Sequence, residues 1–286
     1  MRFEYLQPVT IEQAISLLTK HDGKAKVIAG GTDLVVQMRR KEVRPQYVVD
    51  IAGIPGLDYI NYDEKQGLRI GALTTIRALE TSNELQQRYP VISQAASQLG
   101  SVAIRNVATL GGNLCNAAPS AETAPSLIGL QATAKIIGPD GERIASLEDF
   151  FTGPGSTILK TGELLLEIQV PVPSPGTRGI YLKHAIRGTV DLAIVGVAVI
   201  VTPEVGGEVC QDINVVLGAV ASTPMRARSA EEMMRGERID DALIDRSAQA
   251  ASDEARPISD VRASAQYRKE MVKVFTRRAL REAMAK

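Results

Sequence analysis

Hydrophobic positions change period several times along the chain, and each change marks an element. After Thr10-Ile11-Glu12-Gln13, the residues Ile11, Ile15 and Leu18 recur at helical spacing. Thr10 as N-cap with Gln13 three residues on has the capping-box form, so a helix is expected to run to about Lys20, where Asp22-Gly23 ends it. Lys26-Val27-Ile28 reads as a short strand leading into the pair Gly30-Gly31. Asp33 is placed to open a helix through Met38 and Arg39, and Tyr47–Ile51 is a buried-type strand. This order describes a small α/β unit.

Gly53-Ile54-Pro55-Gly56 marks a boundary. Beyond it, strands are expected at Tyr59–Tyr62 and Leu68–Gly71, and helices at Thr74–Thr81 and Pro90–Leu99, the latter with proline in its first turn. A further helix is expected over Ala124–Leu130. Thr133–Ile137 and Glu142–Ala145 flank Gly138-Pro139-Asp140-Gly141, a hairpin signal, and Glu163–Val170 is another strand. Pro171-Val172-Pro173-Ser174-Pro175-Gly176 reads as a linker. Three β-rich stretches follow, Gly179–Ala185, Leu192–Val201 and Val209–Leu217, and predict a three-stranded antiparallel meander. Helices are then expected at Ala230–Met234, at Asp241–Ala251 and from about Ser264, where Val272, Phe275, Ala279 and Ala283 share a face. The expected divisions are residues 1–56 and 57–175, two α/β units, and 176–286, the sheet with its helices.

Composition narrows the functional classes. The 286 residues carry zero formal net charge, so nothing supports non-specific nucleic-acid binding. The run Leu192–Val201 is far too short for a membrane span. Met1-Arg2-Phe3-Glu4-Tyr5 lacks the basic and apolar regions of a secretory signal, so a cytoplasmic protein is expected. Cys115 and Cys210 form no disulfide framework and no metal-ligand pattern. G-x-G-x-x-G, P-loop, H-E-x-x-H and G-x-S-x-G motifs are all missing. The two histidines, His21 and His184, read as structural, and no catalytic acid, base, nucleophile or metal ligand is expected. From Arg262 to Lys286 the chain holds eight Lys/Arg against two Asp/Glu, a solvated face or a surface for a partner subunit.

Two glycine pairs remain. One lies in Ala29-Gly30-Gly31-Thr32-Asp33-Leu34. The other lies in Thr109-Leu110-Gly111-Gly112-Asn113, at the head of a stretch of small residues that ends at Glu122. Each follows an apolar segment and carries a threonine next to the glycines or one residue removed from them. Paired glycines admit positive φ and close backbone approach, and successive free N–H groups can form an anion-binding nest. Two such loops from separate α/β units suit a pyrophosphate, which implies a dinucleotide cofactor outside the Rossmann topology.

The two segments, in this order and spacing, resemble the paired FAD-binding signatures of the medium, flavoprotein subunit of molybdenum hydroxylases. This is the family of xanthine dehydrogenase and carbon monoxide dehydrogenase. The resemblance covers essentially the whole chain. It implies an α+β fold: a two-subdomain FAD-binding module of the vanillyl-alcohol oxidase / p-cresol methylhydroxylase type, then a C-terminal antiparallel sheet with helices. It also implies a heterotrimer, doubled into a dimer of heterotrimers. In it a large subunit holds molybdopterin, a small subunit holds two [2Fe–2S] clusters, and the FAD of this chain passes electrons to NAD+, a quinone or another acceptor.

By the same resemblance, Val27, Ile28, Ala29, Gly30, Gly31, Thr32, Asp33 and Leu34 wrap one side of the FAD pyrophosphate. Thr109, Leu110, Gly111, Gly112 and Asn113 hold the other. Glu122 stands where the family commonly has an aspartate on the adenosine half. Leu165 matches a position whose backbone meets the flavin, and Lys183 a lysine near the isoalloxazine ring. Arg187–Asp191 corresponds to a loop over that ring. Two rival readings stay open at this stage: a stand-alone FAD oxidase or dehydrogenase of the same fold, and a non-enzymatic assembly module without cofactor.

Overall fold

A computed structural model describes residues 2–187, 190–204 and 206–285. The chain opens with β1 (Glu4–Leu6), α1 (Ile11–Lys20), β2 (Ala25–Ile28), α2 (Leu34–Arg39) and β3 (Tyr47–Asp50). β3 lies between β1 and β2, parallel to both. α1 starts as the capping residues predict. Thr10 Oγ1 accepts from the Gln13 N–H, and Gln13 Oε1 accepts from the Val9 N–H, one residue before the cap. β1 escapes sequence reading because three residues show no period and pairing with β3 alone defines it.

The middle of the chain supplies β4 (Ile60–Asp63), β5 (Gly67–Gly71), α3 (Ile76–Thr81), α4 (Asn83–Arg88), α5 (Pro90–Ser97), α6 (Val102–Arg105), α7 (Leu110–Cys115) and α8 (Thr123–Gly129). It continues with β6 (Thr133–Gly138), β7 (Gly141–Ser146), β8 (Phe151–Gly153), β9 (Ser156–Thr157) and β10 (Leu164–Val170). β4-β5-β10-β6-β7 form one antiparallel sheet, and β8 pairs with β9. Leu68, Ile70 and Ile136 from that sheet meet Ile76, Leu79, Ile92 and Leu127 from α3, α5 and α8 in the largest core. The β6–β7 hairpin closes at Gly138 opposite Gly141, where the proline-glycine turn predicts it.

The remaining elements are β11 (Arg178–His184), β12 (Val195–Pro203), β13 (Cys210–Gly218), β14 (Met225–Arg226), α9 (Arg228–Met234), α10 (Asp241–Glu254) and α11 (Ala265–Ala285). The meander expected to have three strands has a fourth. β14 is two residues long and pairs with Val216 and Leu217, too short to show alternation in sequence. β12 is buried along Val195–Thr202 because both of its faces are covered. Val197, Val199 and Val201 face the core made with Val272, Ala279 and Leu280 of α11. Ala198 and Ile200 face the other way and join the core around α8. Hence the uninterrupted apolar run.

Much of the basic charge after Arg262 is neutralised within the chain. Arg262 and Arg268 pair with Asp260, Arg277 with Asp245 and Arg281 with Asp241. Among the described residues no helix is long and apolar enough to cross a membrane.

The backbone N–H of Arg262, then Arg268 and the N–H of Ala263, hold the Asp260 carboxyl down at about 2, below its ordinary 3.8. A depressed carboxylate contributes stability above its unfolded pKa and loses it as pH falls through the folded one. Acid denaturation is therefore expected to include an Asp260 component between about pH 4 and pH 2. Because the group touches solvent, it is worth roughly 1 kcal/mol. Asp260→Asn should flatten that limb of a stability–pH curve; an unchanged limb would refute the assignment.

Candidate cofactor-binding cleft

A cleft of about 770 Å³ runs between the β1-β3-β2 unit and the middle of the chain. That volume lies within the range of about 300–1,000 Å³ usual for small-molecule and cofactor sites. Its first wall is the turn between β2 and α2. Gly31 adopts φ +69°, and Asp33 that follows is in the right-handed helical region. Among the described residues, the N–H groups of Gly30, Gly31, Thr32, Asp33 and Leu34 find no protein acceptor. Consecutive donors in such a turn make an anion nest. Val27, Ile28 and Ala29 extend the same wall.

Gly30 serves a different purpose from Gly31. Its φ is not positive, but a methyl group there would overlap the Val107 carbonyl oxygen. The first loop therefore sits backbone to backbone on the second. Nearby, Gln37 Nε2 donates to Asn116 Oδ1 at 3.2 Å, joining the same two units. Gln37 and Asn116 line the cleft although 79 positions apart, so no spacing in the sequence connects them.

The second glycine pair corrects the sequence expectation. Leu110–Cys115 is a short helix, α7, and neither Gly111 nor Gly112 has positive φ. Its first-turn donors are already used. Leu110 N–H donates to Thr74 O, Gly111 N–H to Ala72 O, and Gly112 N–H to the N-cap Thr109 Oγ1. This loop offers no row of free amides. Its glycines are there for close approach: a Cβ at Gly111 would lie 2.8 Å from Ala72 O and 2.9 Å from Ala72 Cβ. Leu110 is fully buried in the core and does not line the cleft, whereas Thr109, Gly111, Gly112 and Asn113 do. Asn113 Oδ1 accepts from Thr123 Oγ1, which fixes its amide against α8.

Gly112 is exposed to the cleft, and a Cβ there would meet only Thr109 Oγ1, at 2.9 Å. Gly112→Val is expected to break the Thr109 cap, at a cost of about 1 kcal/mol, and to place an isopropyl group in the cleft. Flavin retained after gel filtration should fall severalfold; full retention would mean that α7 does not touch the ligand.

Leu165 reaches the cleft through a β-bulge. The β10–β6 register shifts between Leu165 and Glu167, while Leu166 O accepts from Ala72 N–H on the other side. Bulges of this kind re-aim backbone beside sites.

Glu122 and Lys183 form a buried pair that the sequence does not announce. Lys183 Nζ donates to Glu122 Oε1 and to Gln98 O, both at 2.8 Å, and the two side chains are 7% and 2% exposed for Glu and Lys. Glu122 lines the cleft; Lys183 stands behind it. The two roles implied by resemblance put them at opposite ends of a dinucleotide. The hydrogen bond places the two side chains against the same part of the cleft. Burial pushes the Glu122 carboxyl up, and Lys183 pulls it back down.

Two smaller points complete the wall. Burial pushes the Cys115 thiol up to about 12, so the group stays a thiol at neutral pH. Arg187 pairs with Asp191, which lines the cleft beside Leu192. Gly188 and Thr189, at the centre of the loop expected over the ring, lie outside the described residues.

Residues 1–173 match the FAD binding domain in molybdopterin dehydrogenase, and residues 180–283 match the CO dehydrogenase flavoprotein C-terminal domain. The chain belongs to the FAD-binding medium-subunit family of molybdenum hydroxylases. The carbon monoxide dehydrogenase medium chain of Afipia carboxidovorans is 34% identical to this medium subunit over 284 residues, 99% of this chain and 97% of that one. The glyceraldehyde dehydrogenase medium chain of Sulfolobus acidocaldarius is 31% identical over 280 residues, 98% of each. The crystal structure of Cu,Mo-CO dehydrogenase in its cyanide-inactivated form matches with a TM-score of 0.95 at 33% identity, covering 100% of this chain and 98% of that one. Quinoline 2-oxidoreductase from Pseudomonas putida 86 matches at 0.93 and 28%, with the same coverage. The medium subunit thus has the two-domain α+β architecture of the vanillyl-alcohol oxidase / p-cresol methylhydroxylase type with a C-terminal antiparallel sheet and helices, and it is an oxidoreductase component. Its donor set fits FAD: five unclaimed amides suit an anionic pyrophosphate, and the cleft continues past them to the Leu165 bulge.

Proposed function

We propose that this chain is the FAD-holding electron-transfer subunit of a molybdenum hydroxylase complex. It works with a large molybdopterin subunit and a small subunit bearing [2Fe–2S] clusters, in a dimer of heterotrimers in the cytoplasm. Electrons from the clusters pass through its FAD to NAD+, a quinone or another acceptor. When bound, FAD supplies the exchange between one-electron carriers and a two-electron acceptor.

The observation that carries this reading is the nest at Gly30–Leu34, unclaimed by any acceptor among the described residues and open to the cleft. Those amides would bind the pyrophosphate. Val27 to Ala29 and the face of α7 at Thr109, Gly111, Gly112 and Asn113 would enclose it. The Leu165 backbone would orient the flavin end, and Ile104 and Leu192 on the cleft wall would exclude water. We take 1–56 and 57–175 as the two halves of the clasp and 176–286 as the domain that closes it.

The test is co-purification from the native source. The protein should elute with a molybdenum-containing subunit and an iron–sulfur subunit, and carry a yellow flavin spectrum through gel filtration. A colourless chain that takes up no added FAD would overturn the cofactor assignment. A chain that runs alone and oxidises an organic substrate would overturn the assignment to a complex.

A further inference from the structure

The parallel sheet β1-β3-β2 is fully covered on one face only. There Val49 and Ile51 meet Ala14 and Leu18 of α1 in a core. The other face carries Tyr5 and Val48, paired across β1 and β3, and opens into a groove of about 380 Å³. Parallel sheets are ordinarily buried on both faces. Here the cover is α2, which reads Leu34-Val35-Val36-Gln37-Met38-Arg39 and buries none of these side chains. Phe3, Tyr5 and Val35 along the groove stay 43%, 50% and 38% exposed. An exposed apolar patch with a polar rim marks an interaction surface.

The rim is cationic. Arg39 and Lys41 line the groove, and no carboxylate does. Among the described residues neither has an acidic partner, unlike Arg262, Arg268, Arg277 and Arg281. The neighbouring acids are engaged: Asp50 accepts from the Tyr5 hydroxyl and the Ala52 N–H, and Glu42 pairs with Arg40. Lys41 also holds an unusual backbone. α2 closes with Lys41 N–H donating to Met38 O and Glu42 N–H to Gln37 O, a Schellman turn. The left-handed position of that turn, ordinarily glycine, is Lys41 at φ +64°. Local backbone energetics favour glycine there; lysine puts an ammonium on the rim.

We propose that this groove docks an acidic segment of a partner subunit, with an apolar side chain seated on Tyr5, Val35 and Val48 and carboxylates on Arg39 and Lys41. This rests on the assignment to a complex above. The seat adjoins the cofactor site. Ile28 lines both the groove and the cleft, and Val35 Cγ2 lies 3.4 Å from where a Cβ on Gly31 would stand.

Two measurements on the assembled complex test it. Phe3→p-benzoylphenylalanine puts a photoreactive group in the groove. Irradiation should cross-link it to a partner-subunit peptide that carries net negative charge around an apolar residue. A cross-link to a second copy of this chain, to a neutral or basic peptide, or to nothing would overturn the proposal. The second measurement is assembly of the double variant Arg39→Glu with Lys41→Glu. The share of chain that co-elutes with its partners should fall at least about tenfold, because like charges then face each other. Flavin per chain should stay at the wild-type level, since neither residue lines the cleft. Wild-type assembly should weaken with added salt, and the double variant should lose that dependence. Lys41→Gly should weaken assembly severalfold without lowering the melting temperature, a combination that a purely structural lysine would not give. Wild-type assembly in the double variant overturns the proposal. Should the bulky probe itself break the complex, the charge variants decide alone. A wild-type chain that meets no partner defeats the underlying assignment and is recognised before either measurement.

Discussion

Gly30→Ala is expected to strip the protein of flavin while leaving most of the fold intact. The added methyl group would overlap the Val107 carbonyl oxygen, and would lie 2.7 Å from Val107 C and 3.0 Å from Ala108 Cα. All three are backbone atoms, so no side chain can swing away to make room. The segment they belong to is pinned on its far side, where Ala108 O accepts from Ile76 N–H and Thr74 O from Leu110 N–H. Relief has to come from the turn that carries the nest. Overpacking of this kind costs about 1–3 kcal/mol. Here the displacement falls on the amides proposed to hold the pyrophosphate. Bound flavin per protein after gel filtration should drop at least about tenfold, because a loss of 1.4 kcal/mol in binding is already a factor of ten. Gly53→Ala is the control: a Cβ there has nothing within 4 Å, and its flavin content should match wild type. Equal flavin in the Gly30 variant would show that the two loops do not meet as described.

The second large effect concerns the last sheet. Glu231 is 1% exposed, and its carboxylate accepts from Val215 N–H at 2.9 Å, from Arg226 Nη2 at 2.7 Å and from Arg235 Nη2 at 3.3 Å. It ties α9 to β13 and β14. Glu231→Ala leaves the buried Val215 amide without its partner and Arg226 short of a counter-charge. Removing one member of a buried pair typically costs about 3–5 kcal/mol. At about 2–4 °C per kcal/mol for a chain of this class, the melting temperature should fall by roughly 6–20 °C. A double variant, Arg226→Met with Glu231→Met, should lose less than the sum of the two single changes, because neither side chain then holds an unmatched charge. Strict additivity in thermal melts would count against the network.

Local signals fixed most elements. The Thr10 cap, the Pro90 helix start and the Pro139-Asp140-Gly141 hairpin all rest on neighbours within a few residues, and such interactions are visible in sequence. Elements held only by distant partners were not. β1 exists through β3, and β14 through β13. The site divides in the same way. The glycine pair at Gly30-Gly31 was legible, since its donors and its positive φ belong to the loop itself. The pair at Gly111-Gly112 reads in sequence as free donors, but Ala72 O, which takes the Gly111 amide, arrives from more than thirty positions upstream, and the Thr109 cap takes the Gly112 amide.

By itself the sequence determined the family, the two glycine signatures and most of the elements in their order, all of which depend on residue type and short spacing. Tertiary structure decided which loop keeps open amides, which glycine is there for contact and which for φ, and that Glu122 and Lys183 form one unit. Each of those outcomes depends on a partner brought from far along the chain. A hydrogen bond of 2.8 Å between positions 61 residues apart leaves no trace in periodicity.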